Sequence, residues 1–235
     1  MMRKDIQSRL ENLIAAAQPG EQLPSEPKLA KQLGVSRATL REAMRTFETR
    51  GLIRRQQGVG TFVTRPSQVI ESGLEMLESI ERMAERIGLP VSMGTVEIQI
   101  CLADDDVAQR LQLEVGSETL CVSRVIWAQD RPVAYLVDTL PPDVLPPERM
   151  TADFTGSVLD LLLKHGDPPL GDSLCEIAAI AASPEVARAL HIQRGDSLMM
   201  FKAMLYATDG TPIDYSFSYF LPGYFKFHVV RRVEQ

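Results

Sequence analysis

Ser25-Glu26-Pro27-Lys28-Leu29-Ala30-Lys31-Gln32-Leu33-Gly34-Val35-Ser36-Arg37-Ala38-Thr39-Leu40-Arg41 holds two helix starts and one helix stop. Ser25 can cap a helix, with Glu26 and Pro27 in its first turn. Leu29, Ala30 and Leu33 share its inner face, and Gly34 marks its end. Ser36 then caps a second helix, from Arg37 to about Arg50, with Leu40, Ala43, Met44 and Phe47 on one face and Gly51 behind it. Two short helices joined by a glycine-containing turn predict a helix-turn-helix.

The flanking sequence extends this unit. Upstream, Ile6, Leu10, Leu13, Ile14 and Ala17 recur at helical spacing, which predicts a helix over 3–17 ended by Pro19-Gly20. Downstream, Leu52-Ile53-Arg54-Arg55, the turn Gln56-Gln57-Gly58-Val59-Gly60 and Thr61-Phe62-Val63 predict a β-hairpin with a glycine-rich tip, a wing.

This arrangement suits double-stranded DNA. The first turn of a recognition helix points side chains and free N–H groups into the major groove. Arg37 and Arg41 lie i,i+4 on one face of that turn, and arginine is the commonest bidentate reader of guanine. Ser36 and Thr39 suit phosphate oxygens. Gly58 and Gly60 would let the wing backbone approach the sugar-phosphate or minor groove, helped by Arg54 and Arg55. Taken singly, either arginine reads equally well as a solvated surface residue; the assembly carries the inference.

Charge agrees with it. Residues 1–66 hold 12 Lys+Arg against 6 Asp+Glu, while the chain as a whole is at −6. The basic end suits a polyanion, and the acidic remainder points to a second module with other work. With 45% apolar and 24% charged residues, the composition excludes disorder and collagen-like structure. The longest small-apolar run, 177–182, is too short to span a bilayer, and the N-terminus lacks an apolar signal core, so a cytoplasmic protein is expected. Cys101, Cys121 and Cys175 are odd in number and lack CxxC spacing, which argues against a disulfide framework and a zinc site. All three sit in strand-like runs and read as buried thiols. His165, His191 and His228 have no metal-ligand spacing, so no metal and no cofactor is expected. Asp104-Asp105-Asp106 lacks calcium-loop spacing and reads as the start of a helix. No Ser/His/Asp, P-loop or GxGxxG pattern appears.

Gly20-Glu21-Gln22-Leu23-Pro24-Ser25-Glu26, Leu33-Gly34-Val35-Ser36-Arg37, Thr39-Leu40-Arg41-Glu42-Ala43 and Gly58-Val59-Gly60-Thr61-Phe62-Val63 resemble the winged helix of GntR-type bacterial regulators over residues 5–65. The resemblance implies that Arg37 and Arg41 read the operator, Ser36 contacts phosphate, and Gly58 enters the minor groove. Pro27 stands where many relatives carry a DNA-contacting arginine, with Lys28 beside it as a partial substitute.

From Ile70 to Gly88, the residues Leu74, Leu77, Ile80, Met83, Ala84 and Ile87 predict a linker helix, with Glu71, Glu75, Glu78, Glu81 and Glu85 facing water or a partner. Beyond it lies a repeat. Ala103-Asp104-Asp105-Asp106-Val107-Ala108-Gln109-Arg110-Leu111 parallels Ala182-Ser183-Pro184-Glu185-Val186-Ala187-Arg188-Ala189-Leu190. Each copy is followed by a glycine turn (Gly116, Gly195), a strand, a tight hairpin and a second strand holding Tyr135 or Tyr215. Two such copies predict two halves of one antiparallel sheet, each with a short helix. Between them, Thr155 or Ser157 can cap a further helix ending at Gly166.

This half resembles the UTRA effector-binding domain of the HutC subfamily, whose fold is similar to chorismate lyase. Val107–Leu111, Gly116, Arg124, Pro132-Val133, Leu140-Pro141, Pro212-Ile213-Asp214-Tyr215-Ser216 and Gly223-Tyr224 carry the likeness. It implies an effector site between the two halves that includes Arg124, Ser157, Asp214, Ser216 and Tyr224. Asp138 is added from its place on the same strand as Leu136. Ile126 and Leu136 stand where phosphosugar-binding relatives often carry an arginine and a glutamate. A less polar or singly anionic metabolite is therefore expected.

The resulting expectation is an α+β chain: a winged helix-turn-helix over 1–66, a linker helix over 67–88, and an antiparallel-sheet domain with a pseudo-repeat over 89–235. It would be a ligand-responsive repressor that binds a palindromic operator as a homodimer, with no membrane partner. The alternatives are a chorismate-lyase-like enzyme with an appended DNA-binding domain and a structural DNA-binding protein without a ligand.

Overall fold

The computed structural model describes residues 2–49, 51–56, 59–64, 69–145, 150, 154 and 156–230. The chain divides into two compact units, one of residues 1–69 with 221–224, the other of 70–220 with 225–235.

The first unit packs three helices, α1 (Met2–Ala16), α2 (Glu26–Leu33) and α3 (Arg37–Thr49), with a hairpin of β1 (Ile53–Gln56) and β2 (Gly60–Val63). Leu10, Leu29, Leu40, Met44, Phe47, Ile53 and Val63 form one buried core. Gly34 takes the left-handed conformation (φ 70°) that ends α2 and turns the chain into α3. Arg9 of α1 donates to the carbonyls of Leu33 and Gln32, satisfying acceptors left open at the end of α2. Ser36 caps α3, accepting from the Thr39 amide at 3.1 Å. Ser25 occupies the N-cap position of α2, but its side chain makes no capping bond; the helix start relies on Pro27 in its first turn.

In the second unit a six-stranded antiparallel sheet runs in the order β4 (Val91–Leu102), β5 (Glu118–Ala128), β6 (Arg131–Leu140), β9 (Pro212–Phe220), β8 (Ser197–Ala207), β7 (Leu170–Ala181). The predicted repeat is visible in it. Strands β4, β5 and β6 with α5 (Asp105–Leu111) mirror β7, β8 and β9 with α7 (Pro184–Ala189), and β6 and β9 join the halves. Asp104 and Ser183 cap the two equivalent helices. α6 (Val158–His165) lays Val158, Leu161 and Leu162 on Leu120, Val122 and Leu140 of the sheet. Tyr215 and Met204 line the opposite face with Leu111 of α5.

The linker helix is not formed as expected. Ile70–Gly73 is a strand, β3, paired in parallel with β10 (Phe225–His228), and the helix is confined to α4 (Ile80–Arg86). Ile70 and Ser72 are buried while Glu71 is exposed, a period of two. Leu74, Met76 and Leu77 remain exposed. The strand partner lies at the far end of the sequence, so local periodicity could not disclose it. Cys101 and Cys121 are half-buried, but Cys175 is exposed on the edge strand β7 and is not the buried thiol expected. Among the described residues no helix is long and apolar enough to cross a membrane.

Candidate operator and effector sites

Ser36, Arg37, Thr39 and Arg41 form an exposed row along the first turns of α3. Ser36 and Thr39 share a hydroxyl–hydroxyl hydrogen bond at 2.8 Å, so both oxygens are held at the helix start. Glu26, at the start of α2, collects three arginines. Arg41 Nε donates to its Oε2 at 2.7 Å, Arg37 Nη2 stands 3.9 Å from the same oxygen, and Arg55 Nη2 is 3.8 Å from Oε1. The carboxylate thus holds the arginines of α3 and one of the wing side by side in the free protein. In the sequence Glu26 stands out only as a first-turn residue of α2 and as an acidic side chain inside a basic module.

The wing strands pair Arg54 with Phe62 and Arg55 with Thr61. Arg54 is exposed, whereas Arg55 is half-buried between Glu26 and Glu48. Gly60 has φ 149°, and a Cβ there would collide with the Gln22 amide, which donates to the Val59 carbonyl at 2.9 Å. Lys28 is exposed on α2. Gly58 lies outside the described residues.

In the second unit, the register sets a row of polar groups on the sheet face beneath α6. Val122 opposes Asp138, which opposes Ser216; one step on, Arg124 opposes Leu136. Arg124 and Asp138 are therefore diagonal neighbours, with Arg124 Nη2 3.9 Å from Asp138 Oδ2. Arg124 Nη1 also donates to the Gly156 carbonyl. Asp214 Oδ1 accepts from the Thr139 amide at 3.2 Å. Both carboxylates are buried. Desolvation pushes Asp138 above the ordinary carboxylate range, opposed by Arg124. Desolvation first, then repulsion from Asp138, holds Asp214 well above it, although Ser216 donates a hydrogen bond.

Two further carboxylates join this face. Glu81 of α4 turns inward: a Cβ built on Gly156 would stand 3.4 Å from its Oε1. Burial raises its pKa, with Arg124 opposing. The sequence expectation places Glu81 facing water or a partner; in the structure it stands next to the buried Ile80, at the flank of the apolar face of α4. Ser157 caps α6 as expected, accepting from the Asp160 amide at 3.0 Å. The Asp160 carboxylate is bound by Ser79 at 2.7 Å and Arg82 at 2.8 Å. Tyr224 falls in the first unit, where a Cβ on Gly51 would stand 2.6 Å from its phenol oxygen, because the chain leaves β9 at Phe220 and gives Leu221–Tyr224 to that unit before β10.

Comparison with known proteins bears on both units. Residues 86–226, more than half the chain, match the family model described as the UTRA domain, and residues 2–63 match that of bacterial regulatory proteins, gntR family. The chain is 29% identical over 199 residues to the HTH-type transcriptional repressor NagR of Bacillus subtilis, covering 85% of this chain and 81% of that protein. It is 29% identical over 187 residues to the histidine utilization repressor of Pseudomonas putida, covering 78% and 73%. Among solved structures, PhnF from Mycobacterium smegmatis superposes with a TM-score of 0.65 at 23% identity, over 97% of this chain and 100% of that one.

Proposed function

Because the chain belongs to the UTRA family and carries a gntR-family DNA-binding module, we propose that it is a ligand-responsive transcriptional repressor that binds a palindromic operator as a homodimer. The observation that carries this is the exposed row Ser36, Arg37, Thr39 and Arg41 at the start of α3, with Arg55 of the wing held on the same Glu26 as the two α3 arginines. Arg37 and Arg41 read base edges, while Ser36, Thr39, Lys28 and the wing hold phosphates. Gly60 keeps the wing backbone free of a side chain at its tip, and Gly58 is assigned the minor groove on the family resemblance.

Two-fold symmetry follows from palindromic half-sites. The outer strands of the sheet supply an apolar surface for it: Ile98, Ile100 and Leu102 on β4, and Leu174 and Ile177 on β7, are exposed. Edge strands with unpaired backbone groups are ready to pair with a second chain. The effector is assigned to Arg124, Asp138, Asp214, Ser216 and Ser157, with Glu81 added. Its binding would be coupled to operator affinity by about 1–3 kcal/mol, as in other switches. The relatives are named as transcriptional repressors, which sets the enzyme alternative aside. The protein acts in the cytoplasm, where a bacterial operator lies.

The test is operator binding by wild type, Arg37→Ala and Arg41→Ala, with melting curves as the folding control. Loss of binding at unchanged melting temperature supports the assignment; equal affinity in all three removes it.

A further inference from the structure

We propose that the buried cluster of Arg124, Glu81, Asp138 and Asp214 receives an effector that carries a cationic nitrogen, a protonated amine or an amidinium, with an aliphatic portion beside it; this rests on the effector site assigned above.

The charges on this face do not balance. Glu81, Asp138 and Asp214 confront one guanidinium, and Arg124 already gives a hydrogen bond to the Gly156 carbonyl. Asp138 is 8% exposed, yet its Oδ2 accepts no hydrogen bond among the described residues and has its nearest cation at 3.9 Å. Glu81 Oε1 is likewise buried without a donor. Arg124 is 5% exposed, and its Nε lacks an acceptor. Buried polar atoms are normally paired, and those left open mark places where a ligand completes the network. Two open carboxylate oxygens against one open donor call for a ligand richer in N–H groups than in anionic oxygens.

The obvious place for an anion is already taken. The N-terminus of α6 would favour negative charge. The Asp160 amide is spent on Ser157 Oγ, and the Asp160 carboxylate occupies the first turn, fixed by Ser79 and Arg82. An incoming phosphate or carboxylate would meet Asp160 as well as the three carboxylates beyond it.

The carboxylates are not a metal cage. Among the described residues no group of three or more His, Cys, Asp or Glu is placed to hold a metal ion. An organic cation fits the apolar neighbours better. Leu136 opposes Arg124 in register, and Ile126 follows on the same face; both are buried. These two side chains offer methylene contacts on the same face as the carboxylates. Burial raises all three carboxylates, repulsion from Asp138 adds to it at Glu81 and Asp214, and a cation would relieve that.

The experiment compares matched probes on the full chain by thermal shift and by calorimetry. Putrescine and agmatine supply the cation, 1,4-butanediol the neutral analogue, succinate and glucose 6-phosphate the anions. Binding of putrescine or agmatine about tenfold tighter than butanediol, the scale of one charge-assisted hydrogen bond, is expected. Glu81→Gln and Asp138→Asn should each remove that preference. They should also raise the melting temperature of the ligand-free protein, because each removes an unpaired buried carboxylate. Equal responses to putrescine, agmatine and butanediol, or a preference for the anions, overturn the inference. Stabilisation by an anion that Arg124→Ala abolishes would leave the effector site standing and refute only the cation. No shift with any probe, together with destabilisation in both carboxylate variants, would refute the site as well.

Discussion

Arg41 Nε donates to Glu26 Oε2 at 2.7 Å, so a residue assigned to reading bases rests, in the free protein, on a carboxylate of the preceding helix. Arg37 leans on the same oxygen at 3.9 Å. DNA must compete with Glu26 for both. The arrangement fixes the direction of the guanidiniums before binding and weakens attraction to any arbitrary phosphate.

Glu26→Gln should therefore loosen discrimination. These are exposed ion pairs, so stability should change by no more than about 0.5 kcal/mol. Affinity for non-specific duplex should rise by about threefold, since one negative charge leaves the interface. The ratio of operator to scrambled-duplex affinity, measured by anisotropy at fixed salt, should fall. An unchanged ratio would show that Glu26 does not set the arginines.

The arginines themselves should separate by role. Arg37→Ala and Arg41→Ala should each cost about 1–3 kcal/mol at the operator and relax sequence preference at single base pairs. Arg54→Ala, on the exposed face of the wing, should weaken all duplexes alike and lower the salt slope by about 1. Titrations at several salt concentrations distinguish the two patterns.

Ser36 has two roles that can be separated. Ser36→Ala removes the cap that receives the Thr39 amide and should cost about 1 kcal/mol of stability as well as DNA affinity. Ser36→Asp keeps a capping oxygen but places a negative charge against phosphate. It should melt near wild type and bind DNA poorly. Binding by Ser36→Asp at wild-type strength would remove Ser36 from the phosphate contacts.

The carboxylate cluster predicts how stability depends on pH. Asp214, ordinarily near 3.8, is raised well above that in the fold, so the folded state holds a proton that the unfolded chain has released. Stability from this group is greatest below the unfolded pKa and falls as pH rises towards the folded value. Each such group contributes a slope of about 1.4 kcal/mol per pH unit within that window. Asp138 and Glu81 act in the same direction. Melting temperature should thus fall as pH rises above 3.8 towards the raised folded value, and Asp214→Asn should flatten the curve. A melting temperature that climbs with pH in wild type and Asp214→Asn alike would contradict these burials.

Much of this organisation was legible in the sequence because its signals are local. Gly34 and Ser36 bracket a turn, and the glycines near 60 mark a hairpin. The paired segments beginning at Ala103 and Ala182 announce the two halves of the sheet. What escaped depends on distant neighbours. Ile70–Gly73 is a strand only because Phe225–His228 lies beside it, a parallel pairing across most of the chain. Glu81 faces inward toward Gly156 and Arg124, which come from distant parts of the chain. The spacing of the α3 arginines is legible in the sequence, but the carboxylate that holds them sits on another helix. Arg124, Asp138 and Asp214 stand out singly in the sequence; their register on one face, and the resulting excess of negative charge, depend on the sheet.

Recognition of a two-fold operator by α3 is tested by selecting bound duplexes from a random-sequence pool with the purified full chain. Wild type should enrich a palindrome of two half-sites, and the Arg37→Ala/Arg41→Ala double variant, at an unchanged melting temperature, should enrich none. Recovery of the same palindrome by the double variant, or of a single unpaired site by wild type, would rule out two-fold recognition through α3.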